Sequence, residues 1–441
     1  FNIIDYASDV RVFAEAPVPM SDETRARALA YVDAIQARGG TNLHDALVEA
    51  LRPPLPDGHL GMVLFLTDGQ PTTGVTAEPD IRRAARQRNA AGRRVFTFGV
   101  GLDVNAPLLD ALAADTRAES AFVLPGESVE LKVAQVFDKL DGPVMIDPVF
   151  AAQPSEADGP VKVFDLEPRV VPDLFRGSRV MVVGRYEGSG SATIGLSSDA
   201  DAEPGLTAVL RAADASARHG FVARLWAQKR IDALLAAIRA AAADGSAPST
   251  ELVDEIVRLS LEHGIMTEYT AFLAAEDLGL ADAVAPTRDD GSVGFGYSAA
   301  RETVARRAAE RSGSSGVSQS VNRKDLAAER VRGQVAATDG RVESFAPKAN
   351  VYYDADMQLQ TVATVQRSLG GTLYRKAGRW EDARLGEHAD GTPDLVVEFA
   401  TDDYWALADD LATQGRQWML ANRGEVYLVN HGQRVLVRNP S

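Results

Sequence analysis

The chain has 441 residues, a formal net charge of −16 and 45% apolar residues. This acidic balance argues against nucleic acid or an anionic membrane as the main partner, because both select basic surfaces. The absence of cysteine excludes disulfides, thiolate metal sites and cysteine nucleophiles, and no apolar run approaches the roughly 20 residues that span a bilayer.

Residues 1–142 alternate between short apolar runs and helical patterns, which predicts an α/β layer with a mostly parallel sheet. The apolar run 62–66, bounded by Gly61 and a polar turn, predicts a strand buried on both faces. Asp68 stands just past this strand, at the end where ligands bind in parallel sheets. Helical spacing predicts two inward faces, formed by Ala28, Leu29, Val32 and Ile35 and by Leu131, Val136 and Leu140.

The composition changes three times after this layer. Residues 143–283 carry β-rich runs followed by helical patterns, with a helix ending at Gly264. Residues 284–348 are poor in large apolar groups and rich in Gly, Ser, Ala and Arg, which predicts a flexible linker. Residues 349–441 predict a small α+β module with two hairpins, and its three tryptophans are expected to anchor the core: Trp380, Trp405 and Trp418.

Two strand-end residues are candidate cation ligands. The glycines at 39 and 40 let the backbone turn tightly and bring the Thr41 hydroxyl to the same surface as Asp68. Thr41 alone could be a helix N-cap, and Asp68 alone a turn residue. Together, a hydroxyl and a carboxylate suit a hard cation such as Mg²⁺. The neighbouring His44 and Asp45 are expected to point apart on their helix.

Several separated motifs carry a resemblance to a known family. The chain resembles the second half of a von Willebrand factor type A domain at Gly39-Gly40-Thr41-Asn42, Phe65-Leu66-Thr67-Asp68-Gly69 and Phe98-Gly99-Val100-Gly101. It resembles the inter-alpha-trypsin inhibitor heavy chains, which combine a VIT domain with this domain, at residues 1–10, 225–231 and 252–270. The lack of cysteine and the Ala- and Arg-rich composition resemble the bacterial members.

The resemblance implies a Rossmann-like domain that lacks its first strand, in a chain truncated at its N-terminus. In the family, a metal-ion-dependent adhesion site uses residues that match Thr41 and Asp68, with further ligands from an Asp-x-Ser-x-Ser strand that is absent here. Mg²⁺, or Mn²⁺ or Ca²⁺, is therefore implied for the full-length protein, while this chain holds only part of the ligand set. The strands near residues 1–5 and 62–67 are then expected to face each other across a gap.

The function that the resemblance implies is non-enzymatic. An acidic side chain of a protein partner would complete the metal coordination, and a secreted, periplasmic or cell-surface location is favoured over a cytoplasmic one. The sequence contains no His-Glu-x-x-His, Gly-x-Ser-x-Gly or Gly-x-x-x-x-Gly-Lys-Ser/Thr motif. The alternatives are a structural scaffold with an idle metal site and a hydrolase within the C-terminal module.

Overall fold

The computed structural model describes residues 1–440 except 38, 140–141, 156–158, 160, 177–179, 199–204, 215–220, 275–294, 329–349 and 369. No helix among the described residues is long and apolar enough to cross a membrane.

The first part of the chain folds as the predicted α/β layer. Its elements are β1 (Ile4–Tyr6), β2 (Val10–Val12), α1 (Asp22–Asp33), α2 (Leu43–Leu51), β3 (Met62–Thr67), α3 (Glu78–Arg88), β4 (Arg94–Val100), α4 (Ala106–Asp115), β5 (Ser120–Val123) and α5 (Val129–Lys139). Strands β3, β4 and β5 form a parallel sheet in that order, whereas β1 and β2 form a separate antiparallel hairpin. Phe98 on the central strand β4 is fully buried. The predicted Rossmann-like fold class is confirmed.

Strand β3 is buried on one face only. Met62, Leu64 and Leu66 are 36–40% exposed, while Phe65 is buried. The prediction of a strand buried on both faces is therefore wrong, because on the face where Val136 of α5 packs against β4 the neighbouring β3 side chains stay exposed. Strand β1 does not pair with β3. A hydrogen bond from the Tyr6 hydroxyl to the Leu66 carbonyl, 2.7 Å long, spans the two sheets instead.

The two predicted inward helix faces are only partly buried. On α1, Ala28 is buried but Leu29 and Val32 are exposed, as is Ile35 just past the helix end; their exposed fractions are 41–57%. Tyr31 of this helix contacts Phe13, just after β2, edge to face, and its hydroxyl donates to the Asp5 carboxylate on β1. On α5, Val136 is buried against β4, Leu131 is 64% exposed, and Leu140 lies outside the described residues.

The second region is β-rich and then helical, as predicted. Its elements are β6 (Pro143–Met145), β7 (Val149–Pro154), β8 (Lys162–Glu167), β9 (Leu174–Phe175), β10 (Val183–Glu187), β11 (Ser191–Ser197), β12 (Leu206–Arg211), α6 (Phe221–Ala243) and α7 (Thr250–His263). The strands form small antiparallel sheets. Gly264 ends α7 with φ +60°, and a Cβ there would lie 2.7 Å from a methyl carbon of Thr372.

Residues 295–328 differ from the predicted flexible linker. They form α8 (Phe295–Ala308) and α9 (Gly313–Ala328), which pack on α7 and on α6 and α4 respectively. Small side chains allow close helix approach, and several buried polar groups of these helices are paired; the Tyr269 hydroxyl, for example, donates to Gln319 at 2.7 Å. Because few large apolar residues mark these helices, the composition resembled that of a linker. The remainder of the predicted linker, 284–294 and 329–348, lies outside the described residues.

The last region is an α+β module around a six-stranded sheet. Its elements are β13 (Asn350–Tyr353), β14 (Leu359–Val362), β15 (Val365–Ser368), β16 (Gly371–Lys376), β17 (Arg379–Asp382), β18 (Leu395–Glu398), α10 (Asp402–Thr413), β19 (Glu425–Asn430) and β20 (Gln433–Arg438). The sheet order is β15-β16-β17-β19-β20-β18. Both predicted hairpins are present, β16–β17 and β19–β20. Trp380 is buried and Trp418 packs on the same core, but Trp405 is 56% exposed, so its predicted role as a core anchor is wrong.

One apolar cluster crosses from the helical region into the C-terminal module. It joins residues of α6, α7 and α8 to Tyr374 on β16 and Tyr427 on β19. The Tyr374 hydroxyl donates to the Leu261 carbonyl at 2.7 Å, at the end of α7. The two regions therefore share buried surface, and the predicted domain boundaries at 142, 283 and 348 stay predictions.

Glu268, in the turn after α7, provides a test of this shared interior. Burial raises its pKa to about 7, and the nearby Asn322 amide and Arg307 guanidinium offset only part of that rise. In the unfolded chain the carboxyl titrates near 4.5. The folded state is therefore progressively destabilised as the pH rises from about 4.5 to 7, and the whole penalty remains above pH 7.

Replacing Glu268 by glutamine is expected to raise the free energy of unfolding at pH 8 by about 2–3 kcal/mol, because no buried charge remains. At pH 4 the gain should disappear. Urea unfolding at both pH values measures the difference, with Glu262→Gln, whose carboxylate is 55% exposed, as the control. An equal effect of Glu268→Gln at both pH values would contradict the assignment.

Candidate functional site

The Gly39-Gly40-Thr41-Asn42 loop leads directly into α2. Asn42, and not Thr41, caps the helix, because its side-chain oxygen accepts from the Asp45 backbone N–H at 3.2 Å. The Thr41 hydroxyl is therefore not used as the N-cap that the sequence had left open. Gly40 is required by packing, since a Cβ there would lie 2.3 Å from the Thr73 hydroxyl oxygen.

The loop after β3 holds Asp68 beside Thr41. A Cβ placed on Gly69 would lie 3.1 Å from the Thr41 hydroxyl oxygen, so the hydroxyl reaches the residue immediately after Asp68. Asp68 is exposed, while Thr67 before it is buried and its hydroxyl donates to the Gly69 carbonyl at 3.1 Å. The buried Thr67 hydroxyl thus restrains the turn on its inner side, and the carboxylate of Asp68 faces solvent.

Backbone contacts lock the two loops together. The Thr41 N–H donates to the Thr72 hydroxyl at 2.8 Å, and the Thr41 carbonyl accepts from the N–H groups of Thr72 and Thr73 at 3.0 and 3.3 Å. Each loop therefore restrains the other at Thr41, and the hydroxyl that is offered as a ligand sits on a rigid backbone.

A third loop, after β1, completes the surface. The Ser8 hydroxyl accepts from the Gly40 N–H at 2.9 Å, and the Asn42 N–H donates to the Ala7 carbonyl at 2.8 Å. Sequence reasoning missed Ser8, Thr72 and Thr73. The available signal was their position: each is a hydroxyl residue in a polar turn shortly after a short apolar strand.

Tyr6 lies beneath the candidate site and connects the β1–β2 hairpin to strand β3. Its ring stacks on Phe65 with centroids 5.4 Å apart, and its hydroxyl donates to the Leu66 carbonyl. Burial raises the pKa of the Tyr6 phenol, with a further contribution from the negative charge of Asp68. Tyr6 is therefore neutral at physiological pH and serves as a hydrogen-bond donor, so it adds no charge to the surface above it.

His44 and Asp45 do contact each other, contrary to expectation. The His44 Nδ1 and an Asp45 carboxylate oxygen are 2.7 Å apart, and this hydrogen bond is the main cause that lowers the pKa of Asp45. The prediction that these side chains point apart is therefore wrong; the Asn42 side-chain amide also donates to the Asp45 carboxylate at 2.8 Å.

The donor set fits a hard cation in type but is small in number. Thr41 and Asp68 offer a hydroxyl and a carboxylate, which are ligands that Mg²⁺ accepts. The described residues contain no group of three or more His, Asp or Glu side chains that could hold a metal ion. Mg²⁺ needs close to six oxygen ligands, several of them commonly water. These residues by themselves thus provide part of a coordination shell.

Parts of the chain are similar to known proteins. Residues 1–122 match the von Willebrand factor type A domain family. This part of the chain is therefore similar to a von Willebrand factor type A domain. The structure of a von Willebrand factor type A protein from Catenulispora acidiphila aligns over 60% of this chain and 70% of its own, with 17% identity and a TM-score of 0.41.

Curated relatives extend the similarity beyond the von Willebrand factor type A domain. Inter-alpha-trypsin inhibitor heavy chain H2 of Sus scrofa is 25% identical over 307 residues, and heavy chain H4 of Homo sapiens is 26% identical over 297 residues. These alignments cover 64% and 63% of this chain but only 32% and 31% of the relatives. The chain therefore spans about a third of the length of the curated relatives it matches.

Proposed function

We propose that the von Willebrand factor type A domain binds a protein partner through a divalent cation held by Thr41 and Asp68. The observation that carries this proposal is the position of the Thr41 hydroxyl, which is not used in capping α2 and lies beside the residue after Asp68. A cation there would keep open positions, and an acidic side chain of the partner would occupy one of them. The role is a non-enzymatic one, and a secreted, periplasmic or cell-surface location goes with it.

The remaining metal ligands are proposed to lie on a further strand that would be placed, in space, between β1 and β3. Within the described part of the chain, neither strand pairs with the other, and Met62, Leu64 and Leu66 on the β3 side are exposed. A strand in this position would pair with the free backbone edge of β3 and end beside Asp68. The family resemblance places an Asp-x-Ser-x-Ser motif on such a strand, and this motif does not occur in the 441 residues.

The proposal predicts weak Mn²⁺ binding by this chain, measured by water-proton relaxation. Asp68→Asn and Thr41→Val should each lower the affinity by about tenfold or more, since each removes an oxygen ligand. Asp57→Asn is the matched control, because Asp57 also precedes a glycine in an exposed turn. Mn²⁺ binding that is unaffected by Asp68→Asn would contradict the metal site.

The acidic partner group can be tested in the same experiment. The blocked peptide acetyl-Gly-Glu-Gly-amide should lower the relaxation of bound Mn²⁺, because its single carboxylate replaces a metal-bound water, whereas acetyl-Gly-Gln-Gly-amide should not. EDTA should abolish both the relaxation and the peptide effect. Equal responses to the two peptides would argue that no acidic side chain completes the site.

A structural scaffold is the second candidate, favoured by a buried ionic network that joins α4 to α6 and α9. Asp110 on α4 accepts from the Ser320 hydroxyl at 2.6 Å and lies 3.5 Å from both Arg239 and Arg323. The von Willebrand factor type A domain is therefore bound firmly to the helices that follow it. If Thr41→Ala and Asp68→Ala leave partner binding unchanged, the scaffold hypothesis is favoured.

A further inference from the structure

A row of aromatic side chains lies at the surface where β18 leads into α10. Phe399, Tyr404 and Trp405 meet edge to face, with ring centroids 5.1 and 5.3 Å apart. Tyr404 is buried, but Trp405 is 56% exposed and Phe399 is 48% exposed. Exposed tryptophans that pack on a buried aromatic side chain are typical of the centres of binding surfaces, because they offer a large and rigid contact area.

Strand β18 runs beside this row at the edge of the six-stranded sheet. It pairs in parallel with β20 on one side, and no other described strand pairs with it. Leu395 and Val396, whose side chains lie on opposite faces of this strand, are each 43% exposed. Edge strands of soluble proteins are normally protected by charge, proline or a covering element, so an apolar edge next to exposed aromatic rings indicates a surface that another chain covers.

The charge around the row distinguishes between the possible occupants. Asp402 and Asp403 are exposed in the first turn of α10, while the Glu398 carboxylate is paired with Arg438 at 3.1 Å. A second copy of this chain would bring the same two carboxylates to the contact, and each copy carries a net charge of −16. Like charges disfavour that pairing, whereas a basic segment would be attracted to the rim.

We propose that the β18 edge and the Phe399–Trp405 row bind an extended segment of a basic partner protein. The segment would add to β18 as a further strand through backbone hydrogen bonds. An apolar side chain of the segment would lie on Trp405, and lysine or arginine side chains would face Asp402 and Asp403. This surface belongs to the C-terminal module and does not depend on the cation site.

Fluorescence anisotropy with labelled short peptides tests each part of the proposal on the full chain. A peptide of alternating lysine and valine should bind saturably, and one of alternating glutamate and valine should not. A peptide of alternating lysine and proline should also fail, because proline lacks the N–H that strand addition requires. If the lysine–proline peptide binds as well as the lysine–valine peptide, strand addition is overturned.

Trp405→Ala is expected to weaken binding of the lysine–valine peptide by about tenfold or more. Asp402→Asn combined with Asp403→Asn should weaken it most at low salt. The matched controls lie elsewhere in the chain: Phe137→Ala removes a 63% exposed aromatic ring from α5, and Asp22→Asn with Glu23→Gln neutralises the first turn of α1. Equal effects of the variants and their controls would overturn the site.

Light scattering after size exclusion tests the competing occupant. The chain is expected to remain at one molar mass over a wide concentration range, with or without Trp405→Ala. A dimer that Trp405→Ala dissociates would overturn the proposal, because the occupant would then be a second copy.

Discussion

Replacing Asp382 by alanine is expected to lower the free energy of unfolding by about 3–5 kcal/mol. Asp382 and Arg416 form an ion pair in which neither side chain is more than 1% exposed. The Arg416 guanidinium also donates to the Val429 carbonyl at 2.7 Å. Without Asp382, the Arg416 guanidinium would remain buried with its charge uncompensated. The cost of keeping this unpaired charge away from water accounts for the size of the stability loss.

Tryptophan fluorescence is a suitable probe, because three of the four tryptophans lie in the C-terminal module. Glu398→Ala, which removes one partner of an exposed pair with Arg438, is the control and should change stability by less than about 1 kcal/mol. Exchanging both buried partners, as Asp382→Leu with Arg416→Met, should destabilise less than Asp382→Ala does. If the double variant proves the less stable of the two, unpaired charge is not the cause.

Asp110→Ala is expected to have a comparable effect, about 3–5 kcal/mol, at the junction of α4, α6 and α9. Burial acts to raise the pKa of Asp110, but the charges of Lys324, Arg323 and Arg239 outweigh it, so the pKa is lowered and the carboxylate stays ionised. Its removal would leave these cations without their shared counter-ion. Burial already lowers the pKa of Lys324 to about 8, and loss of Asp110 should lower it further.

Hydrogen exchange should localise this second effect. Amides of α9, residues 313–328, are expected to lose protection in Asp110→Ala, because the Ser320 hydroxyl and the Arg323 guanidinium of α9 contact this carboxylate. Asp115→Ala is the matched control: Asp115 lies on the same helix but pairs with Arg82 at the surface, where both side chains are partly exposed. Unchanged exchange in α9 would show that the network does not hold this helix.

The local pattern of the sequence was sufficient for much of the fold. Alternating apolar and helical segments predicted the parallel layer, and the turn residues Ala377-Gly378 and His431-Gly432 predicted both hairpins. Gly264 marked the end of α7, because the left-handed conformation found there favours glycine. These features depend on neighbours along the chain, which the sequence displays directly.

The candidate site was predicted only in part. Thr41 and Asp68 were identified from motifs, and their assignment as cation ligands stays a prediction. Ser8 and Thr72 were not identified, because their contacts with the Thr41 loop join residues that are more than thirty positions apart, |i−j| being 32 and 31. Strand order, which brings these turns together, cannot be read from any one of them.

The sequence by itself therefore indicated most of the elements and both C-terminal hairpin turns, and it suggested the two candidate ligands. Only the tertiary structure decided that β3 has an exposed side, that residues 295–328 are packed helices and that Trp405 faces solvent. The physical reason is common to all three: burial depends on which distant segment covers a side chain. For α9 part of that cover is polar: the Ser320 hydroxyl donates to Asp110, |i−j| being 210, and neither the periodicity nor the composition of the sequence reveals such a pair.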